Sequence, residues 1–451
     1  MNRVLLALAC AIPVSLLATA EPRVLALGWA AALGMLVMAR VPVIFCLAFV
    51  ILSTFRLHEL DPRLVSLRLP QLLAMASLAV LIWQLLVVKS AKMLLYREAW
   101  LLLALFAVTS VGMLLATNFG LAFGYWSGNW VKVVLMCLAI SWLLQDRRQL
   151  ATAGWLIIAS GALVASVALY NSAHGLETVE GTRVTIGRSW GSMLGDPNDL
   201  ALVLLLPMSF ALNRALAPLP GRWPAIATLT ALIFALLATQ SRGGLLGLCA
   251  ITGCSMLLRY RLPKWAWLLA PVALLVLMSL AGISDRQSGG AGESGIDESA
   301  MGRLYAWQAA ISMGVSHPLF GVGLDNFYSN YFFHSSHWDG RNHAVHSSWF
   351  QVLAEAGVLG LMVFVGFVLG LIRRARRLHR TLATGGDAEA LSWASALYSG
   401  LIGFAVSATF LTQAFTWPLY VMAALVWAGS RIYLRAPEPS RGGSHASYTC
   451  A

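Results

Sequence analysis

Charged residues are scarce in this chain. Aspartate, glutamate, lysine and arginine make up 11% of its 451 residues, whereas 59% are hydrophobic. A soluble globular protein carries roughly 25% charged residues, so the composition excludes an ordinary water-soluble fold. The apolar residues run continuously instead of alternating with polar ones, which excludes a membrane β-barrel.

Cysteine pairs and closely spaced carboxylates are also missing. Five of the six cysteines lie inside apolar segments and no Cys-x-x-Cys occurs, which argues against a disulfide framework or a zinc site. The loops that are predicted below to lie on the non-cytoplasmic side, here called outer loops, contain no Asp-x-Asp. That carboxylate pair is the usual ligand of a divalent cation on a diphosphate. Glu59-Leu60-Asp61 is the nearest approximation. We therefore expect no metal and no cofactor.

Long apolar runs are what the chain has instead. They cover residues 4–20, 24–39, 41–55, 70–88, 99–116, 130–145, 151–171, 199–216, 222–239, 243–258, 264–283, 348–372, 391–412 and 415–434. A transmembrane helix needs roughly 20 apolar residues. The pattern predicts an all-α polytopic membrane protein with 12–14 transmembrane helices. The number of helices is given as a range because the second and third runs are short and are separated only by Arg40. These two runs could form one long bent helix or a re-entrant pair.

Positive charge gives the orientation of these segments. Five arginines lie between residues 373 and 380, directly after the run 348–372, which predicts a cytoplasmic loop there. Counting spans from that loop places most other basic residues, and both termini, in the cytoplasm. The net charge of +12 thus reflects topology, and no nucleic-acid partner is expected. Residues 1–20 resemble a signal peptide, but we expect a retained first helix.

Counting the spans in this way divides the chain into four regions. Residues 1–283 carry the N-terminal transmembrane helices with short outer loops, such as 117–129, and residues 284–347 form a large outer loop. Residues 348–434 carry the C-terminal helices, and 435–451 form a cytoplasmic tail. Within the large loop, residues 288–295 read as a flexible linker and 301–316 as a helix that ends at His317-Pro318.

Arginines on the outer side are candidate anion ligands. Arg242 lies in the turn 239–244, between two apolar segments, where its guanidinium could bind phosphate oxygens. A snorkelling arginine explains this position as well. Arg183 and Arg188 precede a helix start that Asp196 or Asn198 can cap, and such a start favours anions. Capping alone also accounts for that stretch.

Histidines are concentrated in the large outer loop, which holds five of the nine. Most are explained as solvated loop residues. His346 differs because it directly precedes the helix predicted from residue 348. A neutral imidazole held at a rigid helix end suits a general base, although a capping histidine would look the same.

Four stretches together resemble the O-antigen ligase family, within the superfamily that shares the O-antigen ligase/polymerase domain. They are Gly191–Ala201, Ser241–Gly244, Arg303–Gly323 and His346–Gly360, in the order that the family uses. Ser347 stands where the family often has asparagine. His343 therefore competes with His346 for the essential histidine.

The resemblance implies a GT-C-like glycosyltransferase of the bacterial inner membrane, with the large loop and the active site in the periplasm. The donor would be an undecaprenyl-diphosphate-linked O-antigen. The acceptor, in lipopolysaccharide biosynthesis, would be a sugar hydroxyl of lipid A–core. The essential arginines map to Arg242 and Arg303, more faintly to Arg188, and the essential histidine to His346.

The expected reaction needs no metal. Arg242, Arg303, Arg188 and Arg183 would neutralise the lipid diphosphate, and His346 would take the proton of the attacking hydroxyl, with inversion at the anomeric carbon. Further candidates for sugar contacts are Trp190, Tyr305, Trp307, Trp338, Trp349 and His343. Three alternatives stay open: an O-antigen polymerase, a protein O-oligosaccharyltransferase, and, in another class, a lipid-linked-sugar transporter.

Overall fold

The computed structural model describes residues 43–59, 64, 67–89, 93–260, 279, 298–338 and 340–434. These ranges include most of the predicted apolar segments and most of the large outer loop after residue 297. Several predicted features lie outside the described residues: the apolar segments 4–20, 24–39 and nearly all of 264–283, the linker 288–295 and the tail 435–451.

Helices make up almost all of the described chain. They are α1 (Ile44–Phe55), α2 (Leu69–Trp83), α3 (Arg97–Leu114), α4 (Phe119–Tyr125), α5 (Val131–Leu143), α6 (Arg147–His174), α7 (Pro197–Leu216), α8 (Arg222–Thr239), α9 (Arg242–Arg259), α10 (Glu298–Ser316), α11 (Phe327–His334), α12 (Ser348–Thr384), α13 (Ala388–Ser407) and α14 (Trp417–Leu434). Between α6 and α7, the short strands β1 (Thr178–Val179) and β2 (Arg183–Val184) form an antiparallel hairpin.

Several helix starts follow from local sequence. Side chains of Asp146, Asp196, Ser241, Ser347 and Asp387 accept hydrogen bonds from the first free backbone amides of α6, α7, α9, α12 and α13. Such N-caps replace hydrogen bonds that the first turn of a helix cannot make internally. The predicted cap at Asp196 is thus confirmed.

Eight helical stretches of the described chain are long and apolar enough to cross a membrane. They are Leu69–Val88, Arg97–Leu114, Phe119–Leu143, Arg147–His174, Pro197–Leu216, Arg222–Thr239, Ser348–Thr384 and Ala388–Ser407. Two of these run through short π-helical turns at Gln84–Val88 and Trp126–Trp130. The prediction of a polytopic, mostly helical membrane protein is confirmed.

Three boundary predictions were wrong. Residues 117–129, predicted as an outer loop, are mostly helical because Asn118 caps α4 and the helix continues through the π-turn into α5. The basic run 373–380 is not a loop, since α12 continues to Thr384. The run 391–412 ends as a helix at Ser407, and residues 408–416 form a connector before α14.

The bundle has two chemically different ends. At one end, here called the arginine end, ion pairs join Arg374 to Glu98 over 2.7 Å and Arg147 to Asp387 over 3.4 Å. The opposite end, here called the hairpin end, carries β1–β2, the starts of α7, α9 and α12, and the connector 408–416. The arginines 373–380, in the last part of α12, belong to the arginine end.

Helix α7 forms the centre of the core. Nearly all of its residues are buried, and it packs against α6, α8, α9 and α13. Its start at Pro197 therefore has a fixed position at the hairpin end, and so do the polar residues just before it.

Candidate active site at the hairpin end

A break in α12 shapes this end of the bundle. Gly357 has φ 70° and ψ −174°, which interrupts the helix about three turns after its start. The connector between α10 and α11 enters the break. The Val358 amide donates to the Pro318 carbonyl over 2.8 Å, and the Val322 amide donates to the Ala354 carbonyl over 2.8 Å. These bonds replace those that the break removes from the helix, because buried backbone groups need partners.

This arrangement explains two sequence stretches that the resemblance singled out, His317–Gly323 and the start of α12. A Cβ on Gly357 would lie 2.7 Å from the Leu319 carbonyl oxygen, and its positive φ disfavours any L side chain. The two stretches form one interlocked unit that holds α10 against α12.

Replacing Gly357 by alanine should therefore destabilise the protein by roughly 2 kcal/mol or more, because strained backbone and steric overlap add. Gly366 is a matched control in the same helix, since the nearest atom to its added Cβ, Leu101 Cδ1, lies at an ordinary 3.7 Å. Thermal unfolding in detergent would compare both variants. Equal stability of Gly357→Ala and Gly366→Ala would contradict the proposed interlock.

His346 lies directly before the cap of α12. It has a left-handed φ of 47°, and the adjacent Ser347 accepts the Phe350 amide as N-cap. Val345 and Ser347 on either side are fully buried, whereas His346 itself is partly exposed. Rigid neighbours thus hold one partly exposed ring at the rim of the bundle.

The pKa of His346 is lowered from 6.5 to about 4. Burial of the ring is the largest cause, and the Arg303 guanidinium is the second. The Asp196 carboxylate acts in the opposite direction, and His343 and Arg183 lower the pKa further. We expected the helix start to keep this ring neutral, but burial and neighbouring cations are the larger causes. The ring is neutral at physiological pH and can accept a proton.

The charges that act on His346 come from separate parts of the chain. Arg303 belongs to α10, Asp196 caps α7, and Arg183 lies on β2. Three of the residues named from the sequence, His346, Arg303 and Arg183, therefore lie near one another. Asp196, expected only to cap a helix, also belongs to this group.

Asn198 ties Arg183 to the Arg242 turn. Its Oδ1 accepts hydrogen bonds from Arg183 Nη2 and from Ser241 Oγ, each over 3.0 Å. Arg183 is buried, and its Nε donates to the Thr239 carbonyl over 3.1 Å. These donors of Arg183 already have protein partners. Arg183 is therefore suited to hold the loop before α7 against the Arg242 turn and to supply positive charge beside the site.

Arg242 is the first residue of α9, and its turn packs against the connector 408–416. A Cβ on Gly243 would lie 3.3 Å from atoms of Phe410 and of Leu411, and Ser407 Oγ donates to the Gly243 carbonyl over 3.0 Å. The glycines next to Arg242 thus allow the close approach that the sequence suggested.

The same connector contacts the elements that carry His346 and Arg303. Ser348 Oγ donates to the Leu411 carbonyl over 2.6 Å, at the start of α12. Trp307, one turn after Arg303, stacks on Phe350 at 5.1 Å between ring centroids and lies 6.3 Å from Phe410. The segments that bear Arg242, Arg303 and His346 therefore all meet at residues 408–416.

Arg188 is placed differently. It is exposed, and its Nη1 donates to the Gly195 carbonyl over 3.1 Å. Arg188 lies in the same loop as Asp196, but it is not among the charged residues that shift the pKa of His346.

The aromatic candidates fall into two groups. Trp307 and Trp349 are packed: Trp349 donates to Thr409 Oγ1 over 3.3 Å and meets Phe364 edge to face. Of the others, Trp190 and Trp338 are exposed, whereas Tyr305 and His343 are half-buried. Tyr305 stacks on His337 at 4.7 Å, His343 meets Tyr331 edge to face, Trp338 is exposed, and Trp190 donates to the Glu59 carbonyl over 2.8 Å.

Two buried polar groups near the site were not predicted. The Asp199 carboxylate accepts a hydrogen bond from the Gln413 side chain, whose backbone amide donates to Ser348 Oγ over 3.0 Å. Glu355 accepts from Gln351 Nε2 over 3.3 Å and from the amides of Asp325 and Phe327 at the start of α11. A carboxylate inside an apolar run was the available signal, since such a charge is costly without partners.

No cluster of three metal-ligating side chains occurs among the described residues. Glu59, from the closest approximation to a carboxylate pair, has its carboxylate bound by Arg56 Nη1 over 2.7 Å and by Ser192 Oγ over 2.6 Å. Its role is to join the end of α1 to the loop before α7. Asp61 lies outside the described residues.

A comparison with known protein families found one match within the chain. Residues 227–365 match the family model described as O-antigen ligase. The matched region runs from α8 into α12 and includes Arg242, Arg303 and His346. No curated protein matches the chain. The resemblance seen in the sequence is thereby confirmed over residues 227–365, which are similar to the O-antigen ligase family.

Proposed function

We propose that this protein is an O-antigen ligase. It transfers a glycan from undecaprenyl diphosphate to a sugar hydroxyl of lipid A–core, in the bacterial inner membrane, with a GT-C-like fold. The hairpin end and the loop 284–347 face the periplasm, and both termini face the cytoplasm. The observation that carries the proposal is the partly exposed His346 ring at the rim of an apolar bundle, close enough to the Arg303 guanidinium for that charge to lower the His346 pKa.

In this reaction the acceptor hydroxyl attacks the anomeric carbon of the donor sugar. The bond between that carbon and the phosphate oxygen breaks, and the lipid diphosphate leaves with the electron pair. His346 takes the hydroxyl proton as the new glycosidic bond forms. One direct displacement inverts the anomeric configuration.

The cations stabilise the departing group. Arg303 and Arg242 bind the diphosphate oxygens, where negative charge increases as the bond breaks. Arg188 is a third ligand that can reach the donor from the exposed loop. Arg183 adds positive charge while holding the loop before α7 against the Arg242 turn. These guanidinium groups neutralise the diphosphate, so the reaction proceeds without a metal.

Four aromatic side chains, Tyr305, Trp338, Trp190 and His343, are suited to pack against sugar faces. Trp307 and Trp349 support the site from behind through their contacts with Phe350 and Thr409. Both substrates are lipid-anchored, so they reach the site from the membrane.

The purified protein in proteoliposomes would test this function with a lipid-linked glycan as donor. Lipid A–core, free glycan and pilin peptide would be compared as acceptors, in the presence of EDTA. Transfer to lipid A–core alone supports the ligase. Elongation of the glycan identifies a polymerase, and glycosylation of pilin identifies a protein O-oligosaccharyltransferase. Movement of intact donor across the bilayer without transfer would support a transporter.

The lowered pKa of His346 predicts an unusual pH dependence. The base must be neutral in the free enzyme, so kcat/KM should stay level as pH falls and should decline only near the pKa of about 4. An unperturbed histidine would give a decline near pH 6.5. A bound diphosphate favours the imidazolium, so the decline in kcat should occur at higher pH than the decline in kcat/KM. Coincident profiles with a decline at 6.5 would contradict this assignment.

A further inference from the structure

The large outer loop exposes an aromatic surface of which the proposed reaction uses only Trp338. Tyr328, Phe332 and Phe333 of α11 are 57%, 51% and 76% exposed, and Trp338 follows just after the helix. Phe332 meets Phe333 at 5.2 Å and Trp338 at 4.9 Å between ring centroids. We call these four side chains the aromatic edge. Large exposed apolar surfaces of this kind indicate a binding partner.

Charge is absent from this part of the chain. Residues 326–338 contain no aspartate, glutamate, lysine or arginine. The buried side of α11 packs into the protein through Phe327 and Tyr331. The exposed side therefore offers rings, a hydroxyl and histidines, which is the composition found at the boundary between membrane and water.

Helix α11 is attached to the turn between two candidate spans. Asn330 Nδ2 donates to Thr117 Oγ1 over 2.7 Å, and the Asn118 amide donates to Asn326 Oδ1 over 3.0 Å. The Thr117 amide also donates to the Val322 carbonyl over 3.0 Å. Because α3 ends at Leu114 and α4 begins at Phe119, α11 lies at the depth where the chain leaves and re-enters the hydrocarbon.

The neighbouring spans expose apolar side chains at the same level. Leu114 is 65% exposed, and Leu115, Phe119 and Phe123 are exposed as well. These residues lie in or next to candidate membrane spans, so lipid covers them. Helix α11 is therefore attached beside span residues that we expect to face lipid.

We infer that the aromatic edge of α11 inserts into the bilayer interface at the hairpin end of the bundle. Helix α11 lies on the membrane and anchors the outer loop to the leaflet through its rings. Polar contacts transmit this anchoring to α10, since Ser312 Oγ pairs with His334 Nδ1 over 3.0 Å and Ser336 Oγ donates to Gln308 over 2.8 Å. The inference depends on the membrane location and not on the proposed transfer reaction.

Spin labels would measure this directly in vesicles of phosphatidylethanolamine and phosphatidylglycerol, without any donor lipid. The test variant is Phe333→Cys on a background free of native cysteine. Leu114→Cys serves as the lipid-facing control. Thr182→Cys serves as the water-facing control, because it lies in the hairpin turn between Glu180 and Arg183. Accessibility to oxygen and to a water-soluble nickel complex reports the environment of each label.

The expected ratio of oxygen to nickel accessibility at position 333 is severalfold higher than at 182 and approaches the ratio at 114. Tyr328→Cys provides a second position and should give the same result. A water-like ratio at both 333 and 328 overturns the inference. Spin–spin coupling between copies would instead identify a protein–protein surface, and a lipid-like ratio that appears only after addition of a polyprenyl diphosphate would identify a donor groove. Either result also overturns it.

Discussion

Replacing His346 by asparagine is expected to lower glycan transfer by about 10²–10⁴-fold, the usual contribution of a general base. Asparagine is the appropriate replacement because His346 has φ 47°, a left-handed conformation that asparagine tolerates better than alanine. The cap of α12 belongs to Ser347, so the helix start should survive the change. Initial rates of transfer to lipid A–core, with donor in excess, would measure the loss.

Two further histidine variants make the result specific. His174→Asn alters an exposed histidine at the end of α6 and should retain transfer. His343→Asn separates the two candidates for the base, and we expect a much smaller loss than for His346→Asn. If His343→Asn abolished transfer while His346→Asn remained active, the roles would have to be exchanged. Unchanged thermal unfolding in each variant would exclude misfolding as the cause.

Replacing Arg303 by glutamine is expected to lower kcat by about 10²–10³-fold, as the loss of a donor to a developing negative charge typically does. Arg303→Lys should recover only part of the rate, because an ammonium group cannot form the bidentate contact of a guanidinium. Arg242→Gln and Arg242→Lys should follow the same order. Single-turnover kinetics would separate a loss of donor binding from a loss of the chemical step.

Arg303→Gln carries a second readout that a purely structural arginine would not give. Its guanidinium is the largest charge effect on the His346 pKa, so its removal should raise that pKa from about 4 toward 6.5. The decline of kcat/KM with falling pH would then occur at higher pH in the variant. Arg341→Gln, at an exposed position of the same outer loop, is the matched control and should keep both rate and profile. An unchanged profile in Arg303→Gln would separate this arginine from the histidine.

Sequence reasoning was most successful where a single local property decides the outcome. Apolar runs predicted most membrane helices of the described chain because the cost of burying charge in lipid is large. The end of α10 at His317-Pro318 and the cap at Asp196 followed from local backbone chemistry. The helical stretch 119–130 was missed because aromatic residues and glycines resemble an interfacial loop as much as a helix.

Residues for the candidate site could be proposed from the sequence, but their arrangement could not. The short motifs around Arg242, Arg303 and His346 identified these residues through resemblance. The meeting of their segments depends on the connector 408–416, most of which falls within the predicted apolar runs 391–412 and 415–434. Nothing in the local pattern of Phe410 and Leu411 indicates that they pack beside Gly243 and join the start of α12.

The sequence alone determined that this chain is a polytopic helical membrane protein, and it predicted that basic residues concentrate at one end of the helices. The apolar length of a segment and the charges beside it decide whether that segment enters the membrane and in which direction. Each segment interacts with water and lipid largely independently of the other segments. Only the tertiary structure decided that Asp196 lies near His346 and that Asn198 joins Arg183 to the Arg242 turn. It also decided that α12 breaks at Gly357 to admit residues 318–322. These contacts join positions far apart in the chain, so they depend on how the helices pack and not on any local pattern.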